Sequence, residues 1–194
     1  MYSQPLFHNF TGVIPDAVCD IIVAEGESLQ QRKGTVYSDD QFKVDKSMRV
    51  TDVGFWDEWH WVNGLMTHYM AMANRSFWQY ELVVSQGVQY GSYGVGHFYD
   101  WHHDTFSEPM VDSSSGNQTR LNRFLSASLL LSDENTYSGG ELCFMDQEGR
   151  TYTVEGGRTK GSIVVFPSSL RHKVTPVDNG TRHSCVSWIL GVVD

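Results

Sequence analysis

A chain of 194 residues is the size of one domain, and 40% apolar with 13% aromatic residues supplies the material for a sheet-rich, aromatic-packed core. The formal net charge of −9 argues against a nucleic-acid backbone as the main partner, because phosphate binding calls for clustered Lys and Arg. Cys19, Cys143 and Cys185 are odd in number and far apart with no CxxC spacing, which argues against a disulfide framework or a zinc ribbon.

Met1 to Phe10 carry no basic and no apolar region of an export signal, and no apolar run is long enough to span a bilayer. The expectation is a reduced, cytoplasmic protein with no membrane partner. The Asn-x-Ser/Thr triplets at Asn9, Asn74, Asn117 and Asn179 carry no weight in that setting. Pro15 and Asp16 suit a helix start, with Val18, Ile21 and Ile22 as a short apolar face. Residues 34–54 read as strand and loop. A second helix is predicted from about Asp57 to Asn74, because Val62, Leu65, Met66, Tyr69, Met72 and Ala73 recur three or four apart.

From Leu82 the texture changes to short β-rich runs between Gly-rich turns. They are Leu82–Tyr90, Phe98–His103, Phe124–Leu131, Glu141–Phe144, Tyr152–Val154, Ser162–Phe166 and Ser184–Leu190. Such spacing predicts a sandwich or barrel, mainly β, with the N-terminal helices packed on one sheet from outside. The single domain then divides into a helical support region, 1–81, and a β-barrel core, 82–194. Thr105 to Asn122 reads as a long loop of the kind that forms lids or binding loops, and Ser113 to Asn117 within it cannot form a core element.

His102 and Asp104 stand two apart, so on a strand an imidazole and a carboxylate project to one face while His103 points away. The pair is weak evidence alone, since H-x-D arises by chance. A buried-type strand and turn from Gly161 lead to His172, and Arg182 follows ten residues later at the start of another strand. Two His and one carboxylate take one face of an octahedral ion and leave three positions open, whereas a structural zinc site would be closed and usually include Cys. Arg182 is able to grip a carboxylate in bidentate fashion, so an organic acid chelating the ion at one end can be held at the other. Plainer readings stand beside these. His102 and Asp104 make a strand ion pair, Arg182 a surface charge, Tyr99 and Trp101 packing residues, and Glu108 and Arg120 solvated loop charges. His97 and His183 read as surface or strand-edge histidines, and Trp188 as core.

Tyr93-Gly-Val-Gly-His-Phe-Tyr99-Asp-Trp-His102-His-Asp104 resembles the Y-x-x-G-x-x-Y-x-x-H-x-D signature of the prolyl 4-hydroxylase branch of Fe(II)/2-oxoglutarate dioxygenases, in its compact microbial and phage form. Arg123 to Ser132, then Tyr137-Ser-Gly-Gly-Glu-Leu142, is similar to the family's central strand and Gly-Gly turn. Gly161 to Arg182, with Phe166-Pro-Ser-Ser169, is similar to its distal H-x9-R segment, and Phe7 to Ile22 to its N-terminal stretch. The resemblance implies a double-stranded β-helix (jelly-roll) core, Fe(II) on His102, Asp104 and His172, and 2-oxoglutarate held through its 5-carboxylate by Arg182, with Tyr93 lining that pocket. O2 is the further cosubstrate and ascorbate a candidate addition. Asp104 stands where related halogenases carry a small residue, which implies hydroxylation. Some relatives hold the 5-carboxylate with a second tyrosine, for which Ser126 and Ser128 are the only hydroxyls on the matching strand. The implied reaction hydroxylates prolyl residues in a protein or peptide, yielding succinate and CO2, with Tyr99, Trp101 and Glu108 as candidate substrate contacts. The alternatives are hydroxylation of a free amino acid or other small molecule, oxidative demethylation of nucleic acid, and a non-catalytic binding module on the same barrel.

Overall fold

The computed structural model describes residues 4–38, 41–113 and 118–193. In chain order the first part holds β1 (His8–Phe10), α1 (Asp16–Ser28), β2 (Arg32–Lys33), β3 (Val36–Ser38), β4 (Gln41–Lys43), β5 (Arg49–Val50), β6 (Asp52–Trp56) and α2 (Trp61–Ala73), which runs into a π-helical turn at Asn74–Trp78. The second part holds β7 (Val84–Tyr93), β8 (Phe98–His102), β9 (Met110–Asp112), β10 (Thr119–Leu130), β11 (Tyr137–Gly139) and β12 (Leu142–Met145). It ends with β13 (Thr151–Thr153), β14 (Ile163–Pro167), β15 (Arg171–Val174), β16 (Val177–Gly180) and β17 (Arg182–Val192).

These strands form two main antiparallel sheets. The larger runs β1-β14-β10-β17-β7-β6-β2, with β9 against β10, and the smaller runs β13-β12-β15-β8-β5. The chain crosses between sheets at nearly every step, since β7, β10, β14 and β17 belong to the larger and β8, β12 and β15 to the smaller. Alternation along the large-sheet strands sorts their side chains into two populations. Val88 and Tyr90 of β7, Leu125, Ala127 and Leu129 of β10, and Cys185 and Ile189 of β17 share one core with Cys19 and Ile22 of α1 and Val62, Met66 and Met70 of α2. The intervening Gln89, Ser128, Ser184, Val186 and Trp188 line a cavity that residues of the small sheet bound on its other side.

On α2 the buried stripe is Val62, Met66, Met70 and Ala73, and Met72 of the predicted stripe faces solvent instead. On α1 the buried face is Cys19, Ile22 and Gly26, with Ile21 exposed. Gly26 is required there, because a Cβ would collide with the Tyr90 ring.

Two expectations are corrected. The support region 1–81 holds strands beyond those expected at 34–54: β1 pairs with β14, and with β6 on β7 and β5 on β8 the N-terminal part adds strands to both sheets. Thr105 to Asn122 is not one open loop, because Met110–Asp112 pairs with Thr119–Leu121. Of the Ser113 to Asn117 stretch, residues 114–117 lie outside the described residues. Cys19, Cys143 and Cys185 are buried and free. Among the described residues no helix is long and apolar enough to cross a membrane.

Candidate metal centre

β8 and β15 are antiparallel neighbours whose register sets His102 opposite His172, with ring centroids 4.1 Å apart. Asp104 lies just past the end of β8, where its N–H donates to Ser168 O at 2.8 Å and ties the chain to the turn before β15. His102 Nδ1 meets Asp100 O at 2.7 Å and His172 Nδ1 meets Leu170 O at 2.9 Å. A carbonyl only accepts, so each Nδ1 carries the hydrogen and each Nε2 presents a lone pair inward. Asp104 Oδ1 is 3.9 Å from His102 Nε2 and Oδ2 is 3.5 Å from His172 Nε2. These separations exceed good hydrogen bonds. Instead one donor atom from each residue falls within 4.8 Å of the others, an arrangement able to hold a metal ion.

The surroundings prepare the donors for that task. Burial, with His172 alongside, pushes the His102 pKa down and keeps the ring neutral, as a ligand must be. Burial works to raise the Asp104 pKa, but His172, His102, Arg123 and the Ser126 hydroxyl outweigh it and hold the carboxylate ionised. Ser126 Oγ donates to Asp104 Oδ2 at 2.7 Å and lies 2.9 Å from Ser168 Oγ. Tyr99 stacks on the His102 ring, with centroids 3.5 Å apart and planes 9° apart.

Arg182 opens β17 opposite Tyr93, the last residue of β7, with its guanidinium over the Tyr93 ring at 5.5 Å. It is 4% exposed, and its Nη1 donates to Ser184 Oγ at 2.8 Å. Among the described residues no carboxylate lies within ion-pair distance of it. A buried cation left without a counter-charge is costly, so the group is set up for an anion from outside. Gly140, at φ +63°, makes room for it, since a Cβ there would sit 2.9 Å from Arg182 Cδ. The His–Asp–His cluster, Arg182 and Tyr93 all line one cavity of about 1140 Å³.

Residues 88–190, more than half of the chain, match the 2OG-Fe(II) oxygenase superfamily. The chain belongs to that superfamily. As its name states, the superfamily works with Fe(II) and 2-oxoglutarate, and the donor set fits such an ion: two imidazoles and one carboxylate, with no thiolate. The oxygenase is 42% identical over 95 residues to a PKHD-type hydroxylase of Synechococcus sp. (strain CC9605), covering 49% of this chain and 37% of that protein. It is 37% identical over 101 residues to a PKHD-type hydroxylase of Rhizorhabdus wittichii, covering 52% and 41%. The chain therefore spans about two fifths of the length of these curated relatives. Among solved structures, a viral collagen prolyl hydroxylase from Paramecium Bursaria Chlorella virus-1 superposes with a TM-score of 0.67 at 16% identity over 97% of both chains. A Pseudomonas putida prolyl-4-hydroxylase superposes with 0.64 at 20% identity over 95% of this chain and 91% of that one. Both are likenesses of fold.

Other residues of the oxygenase fall differently from the sequence reading. Simple alternation would set Tyr99 and His102 on opposite faces, but β8 carries one extra residue between the pairs His172–His102 and Val174–Tyr99, and this bulge brings both rings into the cavity. Trp101 lines the cavity with Lys173 Nζ 4.8 Å from its ring centroid, and His103 is exposed at the mouth. Glu108 is exposed, and neither it nor Arg120 is among the lining residues. Trp188 is not part of the helix-side core: it faces the cavity. His183 is no surface residue either. Its ring stacks on Tyr90, whose hydroxyl lies 2.6 Å from Nδ1.

Arg123 escaped the sequence reading as a cavity residue. Its guanidinium is sandwiched between Trp188, at 3.8 Å, and Phe106, at 4.7 Å, while Nε donates to Gln86 Oε1 at 2.7 Å. A cation inside an otherwise β-forming run was its signal in the sequence. Asn122 pins the chain beside it by accepting from Phe106 N and Arg123 N, both at 2.8 Å.

Proposed function

We propose that the protein is an Fe(II)- and 2-oxoglutarate-dependent hydroxylase of prolyl residues in a protein or peptide, with succinate and CO2 as co-products. The observation that carries this reading is the pairing, in one cavity, of a convergent His102–Asp104–His172 donor set with a buried Arg182 that has no carboxylate partner among the described residues. In this reading His102, Asp104 and His172 hold the ion, Arg182 grips the 5-carboxylate of 2-oxoglutarate, and Tyr93 and Ser128 line the space beside it. The residues 82–194 form the catalytic core of one domain wound as a double-stranded β-helix, supported by 1–81. The buried, free cysteines accord with a reducing, cytoplasmic setting.

Bound Fe(II) supplies O2 activation and the oxidative decarboxylation that is coupled to hydroxylation, with ascorbate a candidate reductant. The chain's own work is to keep the His102 imidazole neutral, fix both imidazoles through their Nδ1 contacts, hold Asp104 ionised with the help of Ser126, orient the dicarboxylic acid with Arg182 and shield the reacting carbon. Phe166, Leu142 and Trp188 supply the apolar wall for that shielding. Arg123 is held flat between two rings, with Nε donating to Gln86 Oε1 and Nη1 to Asp104 O. The cavity of about 1140 Å³ has room for the dicarboxylic acid and a substrate side by side. Succinate release and a gain of one oxygen by mass spectrometry, compared between proline-containing peptides and free amino acids, test the reading. Turnover of peptides is expected, and turnover of free amino acids alone would overturn it.

A further inference from the structure

Charge is distributed unevenly over this molecule. The chain has 23 acidic against 14 basic residues, yet among the described residues the cavity wall carries Arg32, Arg49, Arg123, Arg171 and Arg182 against Asp45 and Asp104. Among the described residues none of those five arginines has a carboxylate within ion-pair distance, whereas Lys33, Arg150 and Lys160 elsewhere are each paired. The dicarboxylic acid assigned above accounts for Arg182, and Asp104 is committed to the metal. Arg123 sits beside Asp104, which leaves Arg32, Arg49 and Arg171 with one further carboxylate among the described lining residues, Asp45, which already accepts from the N–H and hydroxyl of Ser47.

Arg49 shows the surplus most clearly. It is 6% exposed and lines the cavity, its guanidinium lies 4.4 Å from the Tyr99 ring, and Nη1 donates to Thr35 O at 3.1 Å. Its Nε is packed against Gly34, and among the described residues no carboxylate lies within ion-pair distance of the guanidinium. A buried cation without a counter-charge calls for an anion that arrives with the ligand. Arg32, over the Phe55 ring at 4.7 Å, and Arg171 are exposed at the rim of the same cavity.

We propose that the substrate is an acidic peptide segment, whose carboxylates are received by Arg49 inside the cavity and by Arg32 and Arg171 at its rim. This rests on the hydroxylase reading and narrows its substrate class. The overall charge of −9 favours a short anionic segment over a long polyanion such as DNA or RNA, because the surface beyond the cavity is more acidic than the average and repels an extended chain of phosphates.

The test uses equal-length peptides with a central proline flanked by Glu, Gln or Lys. Affinity is read by fluorescence anisotropy on the full chain without added metal, and hydroxylation by mass spectrometry with Fe(II) and 2-oxoglutarate. The Glu-flanked peptide is expected to bind about tenfold more tightly than the Gln-flanked one, with the Lys-flanked one weakest and the preference shrinking as salt rises. Arg49→Gln is expected to remove most of that preference. Arg32→Gln, at an exposed position that places no demand on folding, is expected to reduce it about threefold. Equal binding of Glu and Gln peptides, tighter binding of the Lys peptide, or competition by a single-stranded oligonucleotide as strong as that of the Glu peptide would overturn the proposal. Turnover of free aspartate or glutamate with no peptide turned over would overturn the peptide as the source of the carboxylate. A retained Glu preference in binding, with no oxygen gained by any peptide, would sink the hydroxylase reading and leave the acidic recognition standing.

Discussion

Ser126 is a small residue with a specific task. It is fully buried on β10 and donates to the carboxylate oxygen of Asp104 that also faces His172. Ser126→Ala is expected to leave the fold intact and weaken binding of Fe(II), or of Mn(II) in its place, about 10- to 100-fold, as read by anaerobic calorimetry. Unchanged affinity would show that Asp104 needs no such support. The sequence reading put His102, Asp104, His172 and Arg182 in one site on their spacing and order, and all four line one cavity. Ser126 was read as a possible partner of the cosubstrate, and its contact with Asp104 was not legible, because it depends on how β10 passes the end of β8. The Tyr90–His183 couple was hidden for a similar reason. Burial lowers the His183 pKa from 6.5 and raises that of Tyr90, so the phenol donates to a neutral ring whose Nε2 faces Glu27 Oε1 at 4.0 Å. A histidine kept neutral by folding contributes stability above its unfolded pKa, and that stability is lost as pH falls below 6.5 towards the lowered folded value. Urea unfolding about one unit above and one below that pKa is expected to show the loss. His183→Gln is expected to reduce the difference, with the remainder left to His102 and His8, and an unchanged slope would contradict this assignment.

At the level of elements, alternation and turn residues made the long strands readable. β7, β10, β14 and β17 fall within a few residues of their predicted limits because each has one face on the helices and the other on the cavity. The strands that escaped are short or lack an apolar pattern. Arg171–Val174 reads as a charged turn after Pro167, yet it is the strand that carries His172. His8–Phe10 and the pair Tyr137–Gly139 with Val177–Gly180 exist only through partners distant in the chain. The bulge in β8 was equally invisible, since an extra residue has no signature until the neighbouring strand sets the register. Packing between elements can be probed at Gly26. Gly26→Ala forces a methyl group into the Tyr90 ring and is expected to cost about 1–3 kcal/mol by chemical denaturation, even though alanine is the better helix former. On the other side of the same core, Met66→Ala is expected to cost about 2–5 kcal/mol through the space it leaves. A neutral or stabilising Gly26→Ala would mean that α1 is free to move away from β7.

Across the whole molecule, the large sheet carries out two tasks with one set of strands. Its helix-facing residues, among them Leu125, Leu129 and Ile189, form the main core, and its cavity-facing residues bring Ser128, Ser184 and Arg182 to the space that the small sheet closes with His102 and His172. The donor set and the guanidinium thus come from different sheets, and their meeting depends on the fold rather than on any local segment. The family and the mainly β architecture were legible because the ordered motifs from Tyr93 to Arg182 lie in the residues, 88–190, that match the superfamily. The arginine-rich wall was not, because Arg32, Arg49, Arg123 and Arg171 are scattered through a sequence whose net charge is −9 and are gathered only by folding. The joint site is tested most directly by anaerobic titration of the protein with Fe(II) and 2-oxoglutarate, followed by absorption. A metal-to-ligand band is expected in the unmodified protein, lost in His172→Ala and displaced to higher 2-oxoglutarate concentration in Arg182→Gln. The absence of any such band in the unmodified protein would contradict the assignment of His102, Asp104, His172 and Arg182 to one iron and 2-oxoglutarate site.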